Sequence, residues 1–197
     1  GLTPMGTDGY FQEFVVNKPT NPHEQAVMGT DGEGLEGRNV VGYLHNNAPN
    51  TIVIGAHFDH LGYGSEGSLH RGEPAIHNGA DDNASGTAAL IQLAGILNEK
   101  DLNSNVLFIA FSGEENGLWG SNYYVKNPTV ELSRVSYMIN MDMVGRLNEE
   151  NALAINGVGT SPKWNESISS VNSDSLKLVT SESGVGPSDH TSFYLQD

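Results

Sequence analysis

Two adjacent glutamates, Glu114 and Glu115, follow the apolar run Val106-Leu107-Phe108-Ile109-Ala110 within Phe111-Ser112-Gly113-Glu114-Glu115. Like charges at the mouth of a hydrophobic segment repel each other and lose hydration, so solvent, a basic side chain or a metal must compensate them. Other segments carry the same residue types. Thr51–Ala56 runs into His57-Phe58-Asp59-His60, and Ser136–Met141 runs into Asp142. Asp81-Asp82-Asn83 precedes an apolar-periodic stretch, and Asp189-His190 lies near the end of the chain. Imidazoles and carboxylates without any thiolate suit zinc or another divalent first-row metal, and an acid-rich cluster can hold two ions.

The elements that must position these groups alternate between strand and helix patterns. Asn39–Leu44, Thr51–Ala56, Val106–Phe111, Ser136–Met141, Ala152–Ile155 and Leu176–Thr180 read as strands. Ser85–Lys100 reads as a helix with Leu90, Leu93, Ala94 and Leu97 on one face. Leu118–Val125 reads as a short helix, and Pro162–Val171 as one with proline in its first turn. The segment Asn17–Arg38 is polar and glycine-rich and reads as a surface connection, and Gly62–Asp82 as a polar loop. The alternation predicts one α/β domain, with helices over a mostly parallel sheet. Ligands of such sheets bind beyond the carboxyl ends of the strands, where His57, Glu114, Glu115 and Asp142 all fall.

Taken singly, each group has a plainer reading. Asp81-Asp82-Asn83 could cap a helix, Glu114-Glu115 could be a solvated turn, and a lone His57 could be a hydrogen-bonded core residue. Their coincidence at consecutive strand ends is what favours a metal. His23, His45, His70 and His77 read as loop or surface histidines, and His60 stays open. The formal net charge of −15 disfavours nucleic acid and anionic membrane surfaces as partners. The absence of cysteine excludes disulfides and thiolate sites, and fits an exported protein, secreted or periplasmic, whose signal would lie outside this chain.

Five motifs together resemble the bacterial leucyl aminopeptidase family of zinc exopeptidases. They are Gly55-Ala56-His57-Phe58-Asp59-His60-Leu61-Gly62, Asn78 to Gly86, Phe111 to Ser121, Asn140-Met141-Asp142-Met143-Val144-Gly145 and Ser188-Asp189-His190. The resemblance implies a three-layer zinc-exopeptidase (phosphorylase/hydrolase-like) fold. It also implies two Zn2+ per chain, one on His57 and Asp142 and one on Glu115 and His190, with Asp82 bridging. Asp59 would orient the His57 imidazole, and Glu114 would be the general base and acid acting on a metal-bridging water. The peptide bond Asp82-Asn83 would be cis. Peptides with a free N-terminus would be the substrates. Alternatives of similar fold are a glutaminyl-cyclase-like acyltransferase using one zinc, a carboxypeptidase for acidic C-terminal residues, and a non-catalytic binding module. Residues 1–197 would form a single peptidase domain lacking N- and C-terminal elements of the full family domain, with an exposed sheet edge open to self-association.

Overall fold

A computed structural model describes residues 1–18, 26–64, 67–171 and 176–196. Its strands are β1 (Thr3–Pro4), β2 (Phe11–Asn17), β3 (Val27–Gly29), β4 (Leu35–Leu44), β5 (Thr51–His57), β6 (Asn105–Phe111), β7 (Val135–Asn140), β8 (Ala152–Asn156) and β9 (Lys177–Ser181). Its helices are α1 (Gly86–Leu97), α2 (Trp119–Lys126), α3 (Lys163–Val171) and α4 (His190–Tyr194).

The centre of the molecule is built from period-two burial. On β6, Leu107, Ile109 and Phe111 face one side with Val41, Val53 and Tyr124, and Phe193 of α4 packs against them. Val106 and Phe108 face the other side with Leu44, Ile54 and Ala56, against Leu90, Leu93, Ala94 and Leu97 of α1. Alternate side chains of a strand point to opposite faces, so a strand apolar on both must be covered twice. The three-layer α/β arrangement follows, with α1 on one face and α2 and α4 on the other.

The sheet runs β3-β2-β4-β6-β5-β7, with β1 beside β4. It is mixed, where the sequence pattern suggested mostly parallel strands. β5 pairs in parallel with β6 and β7, while β1, β2, β3, β4 and the β4–β6 pair are antiparallel. Connection length explains the division. The stretches between β5, β6 and β7 are long enough to hold the crossover helices α1 and α2, which parallel pairing requires. The surface connection expected over Asn17–Arg38 instead contains β3 and the start of β4. β2 was not evident from the sequence, and it buries Gln12, Phe14 and Val16 on one face. β8 and β9 form a separate parallel pair. No helix among the described residues is long and apolar enough to cross a membrane.

Candidate metal centre

The last residue of β5 is His57, fully buried. Its backbone carbonyl accepts from Thr87 Oγ1 at 3.0 Å, which ties it to α1. Its Nδ1 lies 3.0 Å from the Asp59 backbone carbonyl, so Nδ1 carries a proton, and Nε2 presents a lone pair once the ring is neutral. That nitrogen faces three carboxylates: Asp82 Oδ1 at 3.1 Å, Asp142 Oδ1 at 3.5 Å and Glu114 Oε2 at 3.9 Å. The ring is therefore oriented by the Asp59 main chain, where the resemblance suggested the side chain. The Asp59 carboxylate has another task. It accepts from Ser112 Oγ at 3.0 Å and Gly113 N at 2.7 Å, and so anchors the turn that carries the glutamates.

That turn depends on Gly113, whose φ of +77° lies in the left-handed region. A Cβ there would also meet Trp119 at 3.0 Å. Behind it, the buried Asn39 accepts from Ser112 N and donates to Gly120 O and Gln12 Oε1. Gln12 and Asn39 support the site unannounced by any motif. The available signal was a polar residue at an inward position of a strand, which needs buried partners.

Asp82 and Asp142 are set by a second polar assembly. The Asp82-Asn83 peptide is cis. The buried Asn83 side chain donates to Met141 O and accepts from Met143 N and Gly86 N. Ser85 Oγ accepts from Val144 N, and Asp81 Oδ1 accepts from Gly145 N. The loop before α1 is thus laced to both sides of Asp142.

Three groups of side chains can each surround an ion: His57, Asp82 and Asp142; His57, Glu114 and Glu115; and His60, Asp82 and Glu115. Five of the seven residues singled out from sequence thus come together. Asp59 supports them from behind. His190 belongs to none of these groups and stands on the Asp142 side, where that carboxylate is its electrostatic partner. His60 joins Glu115 instead. His77 is held by Ser68 Oγ and the Ala75 carbonyl, His70 is exposed, and His45 lies against Tyr43. His23 lies outside the described residues.

The electrostatics of the centre are those of a cation site. Burial opposes a charge on His57, yet the Asp142 carboxylate, the Asp59 carbonyl and Glu114 outweigh it and push the imidazole up to about 9. Burial, then the charges of Asp189, Asp142 and Glu115, pushes Glu114 up to about 8 against the opposing pull of His57. Burial raises Asp189 to about 6 and lowers His190. Burial would raise Asp142, but its contacts with His57 and Ser188 hold it below the usual carboxylate range. His57 Nε2, Asp142 Oδ1, Glu115 Oε1 and His190 Nε2 are buried without hydrogen-bond partners. Such orphaned lone pairs are costly unless a ligand accepts them. Imidazole and carboxylate donors fit zinc.

Residues 39–197 match the profile of peptidase family M28. Aminopeptidase YwaD of Bacillus subtilis is 31% identical over 153 residues, covering 74% of this chain and 30% of the relative. The chain thus spans less than a third of that relative's length. Among solved structures, a zinc aminopeptidase from Bacillus subtilis superposes with a TM-score of 0.63 at 28% identity, over 87% of this chain and 40% of that one. Glutaminyl cyclase from Bacteroides thetaiotaomicron superposes equally, with a TM-score of 0.63 over 84% and 62%, but at 21% identity this likeness concerns the fold alone.

Proposed function

The chain belongs to peptidase family M28, and from that premise we propose that it is a zinc-dependent aminopeptidase working with two ions. The observation that carries this reading is the sharing of Asp82 and His57 among three groups of imidazole and carboxylate donors. His57 and Asp142 would hold one ion and Glu115 the other, with Asp82 between them. Two such ions, when bound, lower the pKa of a water and polarise a scissile carbonyl.

The remaining chemistry belongs to the side chains. Glu114 is not needed as a ligand, and its carboxylate lies 3.9 Å from His57 Nε2 at the edge of the centre, placed to act on a water there. It takes a proton from the attacking water and delivers it to the departing amine. A positioned acid–base group of this kind contributes about 10²–10⁴ in rate. Asp59 holds the turn that aims Glu114, through Ser112 and Gly113. The surplus of carboxylates attracts a substrate ammonium, which favours peptides with a free N-terminus.

Metal analysis joined to a panel of aminoacyl anilides, with free and acetylated amines, tests the reading. About two zinc ions per chain and hydrolysis of free-amine substrates alone are expected. A single tightly bound ion would favour the acyltransferase alternative. Equal cleavage of acetylated substrates would sink the exopeptidase assignment.

A further inference from the structure

Beside the metal centre, on the side of Asp82 and Glu115, lies a cavity that the mechanism above leaves unused. Its volume is about 590 Å³, and its walls include Leu61, Leu69, His70 and Ile76 along with those two carboxylates. A larger cavity meets the centre from the other side, at Asp142 and His190. The two have no lining residue in common among the described residues. A peptide whose scissile carbonyl sits over the centre therefore extends into both.

The walls decide which half of the substrate goes where. β7, β8, α3 and α4 enclose the larger cavity through Ile139, Ile155, Trp164 and Phe193, and the Tyr137 and Trp164 rings meet edge to face at 4.9 Å. An exopeptidase encloses the residue that it removes and leaves the remainder of the peptide a way out. The smaller cavity has that way out, because Leu69 is 88% exposed and Ile76 64%. Neither side chain belongs to an apolar cluster of the core. Apolar surface thus stands uncovered beside the chemistry, as it does where a ligand is to cover it.

The segments that carry these side chains, residues 61–64 and 67–78, are pinned by His77. Its backbone N donates to Gly62 O at 2.7 Å. Its Nδ1 lies 3.0 Å from the Ala75 carbonyl, which can only accept, so Nδ1 is protonated and Nε2 receives the Ser68 hydroxyl at 2.6 Å. Ser68 Oγ in turn accepts from His70 N at 3.0 Å. One ring therefore ties both flanks of Leu69 and the residue before Ile76 into a single polar knot.

We propose that this cavity is the subsite for the residue on the leaving side of the scissile bond. Leu69 and Ile76 select a large apolar side chain there, and His77 is the positioning residue that holds them in place. The inference rests on the aminopeptidase reading above and adds a preference for the second residue of the peptide.

The test compares leucyl-leucine amide with leucyl-glycine amide as substrates of the zinc-loaded chain. Amides are used because the acids of the centre would repel a free carboxylate. An apolar side chain in a fitting pocket is discriminated by about 10-fold or more, so leucyl-leucine amide should lead by at least that ratio in kcat/KM, mainly through KM. Calorimetry with uncleavable analogues, in which CH2–NH replaces the peptide CO–NH, should read the same preference without turnover. The double substitution Leu69→Ser with Ile76→Ser should bring the ratio toward one in both measurements. His77→Ala should lower the ratio, and His77→Asn, which keeps a donor for the Ala75 carbonyl, should restore part of it. A ratio unchanged in His77→Ala would overturn its positioning role. Equal handling of the two amides by the unsubstituted chain, or a preference that survives the double substitution, would overturn the subsite and leave the aminopeptidase reading standing. Failure to cleave either amide would overturn both.

Discussion

Strands β6 and β7 lie on either side of β5 and both lead into carboxylates of the centre, yet they are held by different forces. β6 is paired on both edges, with β4 and β5, and Leu107, Ile109 and Phe111 have no exposed surface. β7 is paired only with β5 among the described residues. Ile139 is 41% exposed, and a cavity of about 1050 Å³ lies along the strand. Glu114 and Glu115 therefore leave a strand locked by apolar packing. Asp142 leaves one that is not, and its position comes from the hydrogen bonds of Asn83, Ser85 and Asp81. One half of the centre is positioned by the core and the other by a polar lacing, so each should fail to a different kind of substitution.

The largest effect is expected at the chemical step. Glu114→Gln keeps the shape of the side chain and the packing behind it but removes the proton acceptor. Anilide hydrolysis should fall by about 10²-fold or more in kcat with zinc content unchanged. Parallel loss of zinc and activity would mean that Glu114 is a ligand and Glu115 the base.

Core truncation is the next probe. Leu107→Ala should cost about 2–5 kcal/mol, because a buried side chain is replaced by a cavity. Ile139→Ala on β7 should cost less than about 1 kcal/mol, since that side chain is already partly in water. Urea unfolding measures both, and equal costs would erase the distinction between the strands.

On the laced side, Asn83→Ala leaves Met141 O, Met143 N and Gly86 N without their partner. Each buried group left unpaired costs about 1–3 kcal/mol. Retained zinc should fall along with stability, because Asp82 and Asp142 lose their common tether. An Asn83→Ala protein that is destabilised but retains zinc at the original affinity would show that the carboxylates are positioned without it.

The gentlest probe is pH, applied to the metal-free protein. His57 is raised from 6.5 to about 9, and Glu114 from 4.5 to about 8. A group raised on folding adds stability that is complete below its unfolded value and lost as pH climbs through the folded one. Asp142 has the opposite sign: its contribution is lost only on acidification below its ordinary value of 3.8. Urea midpoints in chelator should therefore decline from about pH 5 to pH 9. Zinc affinity should rise over the same interval, because ligation needs the deprotonated imidazole. A flat midpoint would show that the two groups are not coupled to folding.

Much of the frame was legible in the chain. Val106–Phe111 and Thr51–Ala56 are apolar on both faces, and the observed strands β6 and β5 differ from those ranges by one residue each. The helix expected over Ser85–Lys100 exists as α1 at Gly86–Leu97, preceded by the irregular turn at Ala80–Ser85. β2 escaped notice because its buried face includes Gln12, whose partner Asn39 lies 27 residues away. The share of parallel strands could not be read either, since strand direction depends on which edges meet.

The sequence by itself determined which segments end in ligand-type side chains, because an apolar run followed by an acid or a histidine is a local pattern. Hence His57, Glu114, Glu115 and Asp142 could be named without coordinates. Which of these groups face one another was decided only by the tertiary structure. His60 reaches Glu115 across a long stretch of sequence because β5 and β6 are paired in parallel, and because Gly79 leaves space for the ring. Asp59 turns its carbonyl toward His57 and its carboxylate toward Gly113, a division of labour that no spacing encodes. Local pattern fixes a residue's place along a strand, whereas the direction of its lone pairs depends on the register and loop path of segments far away in the chain.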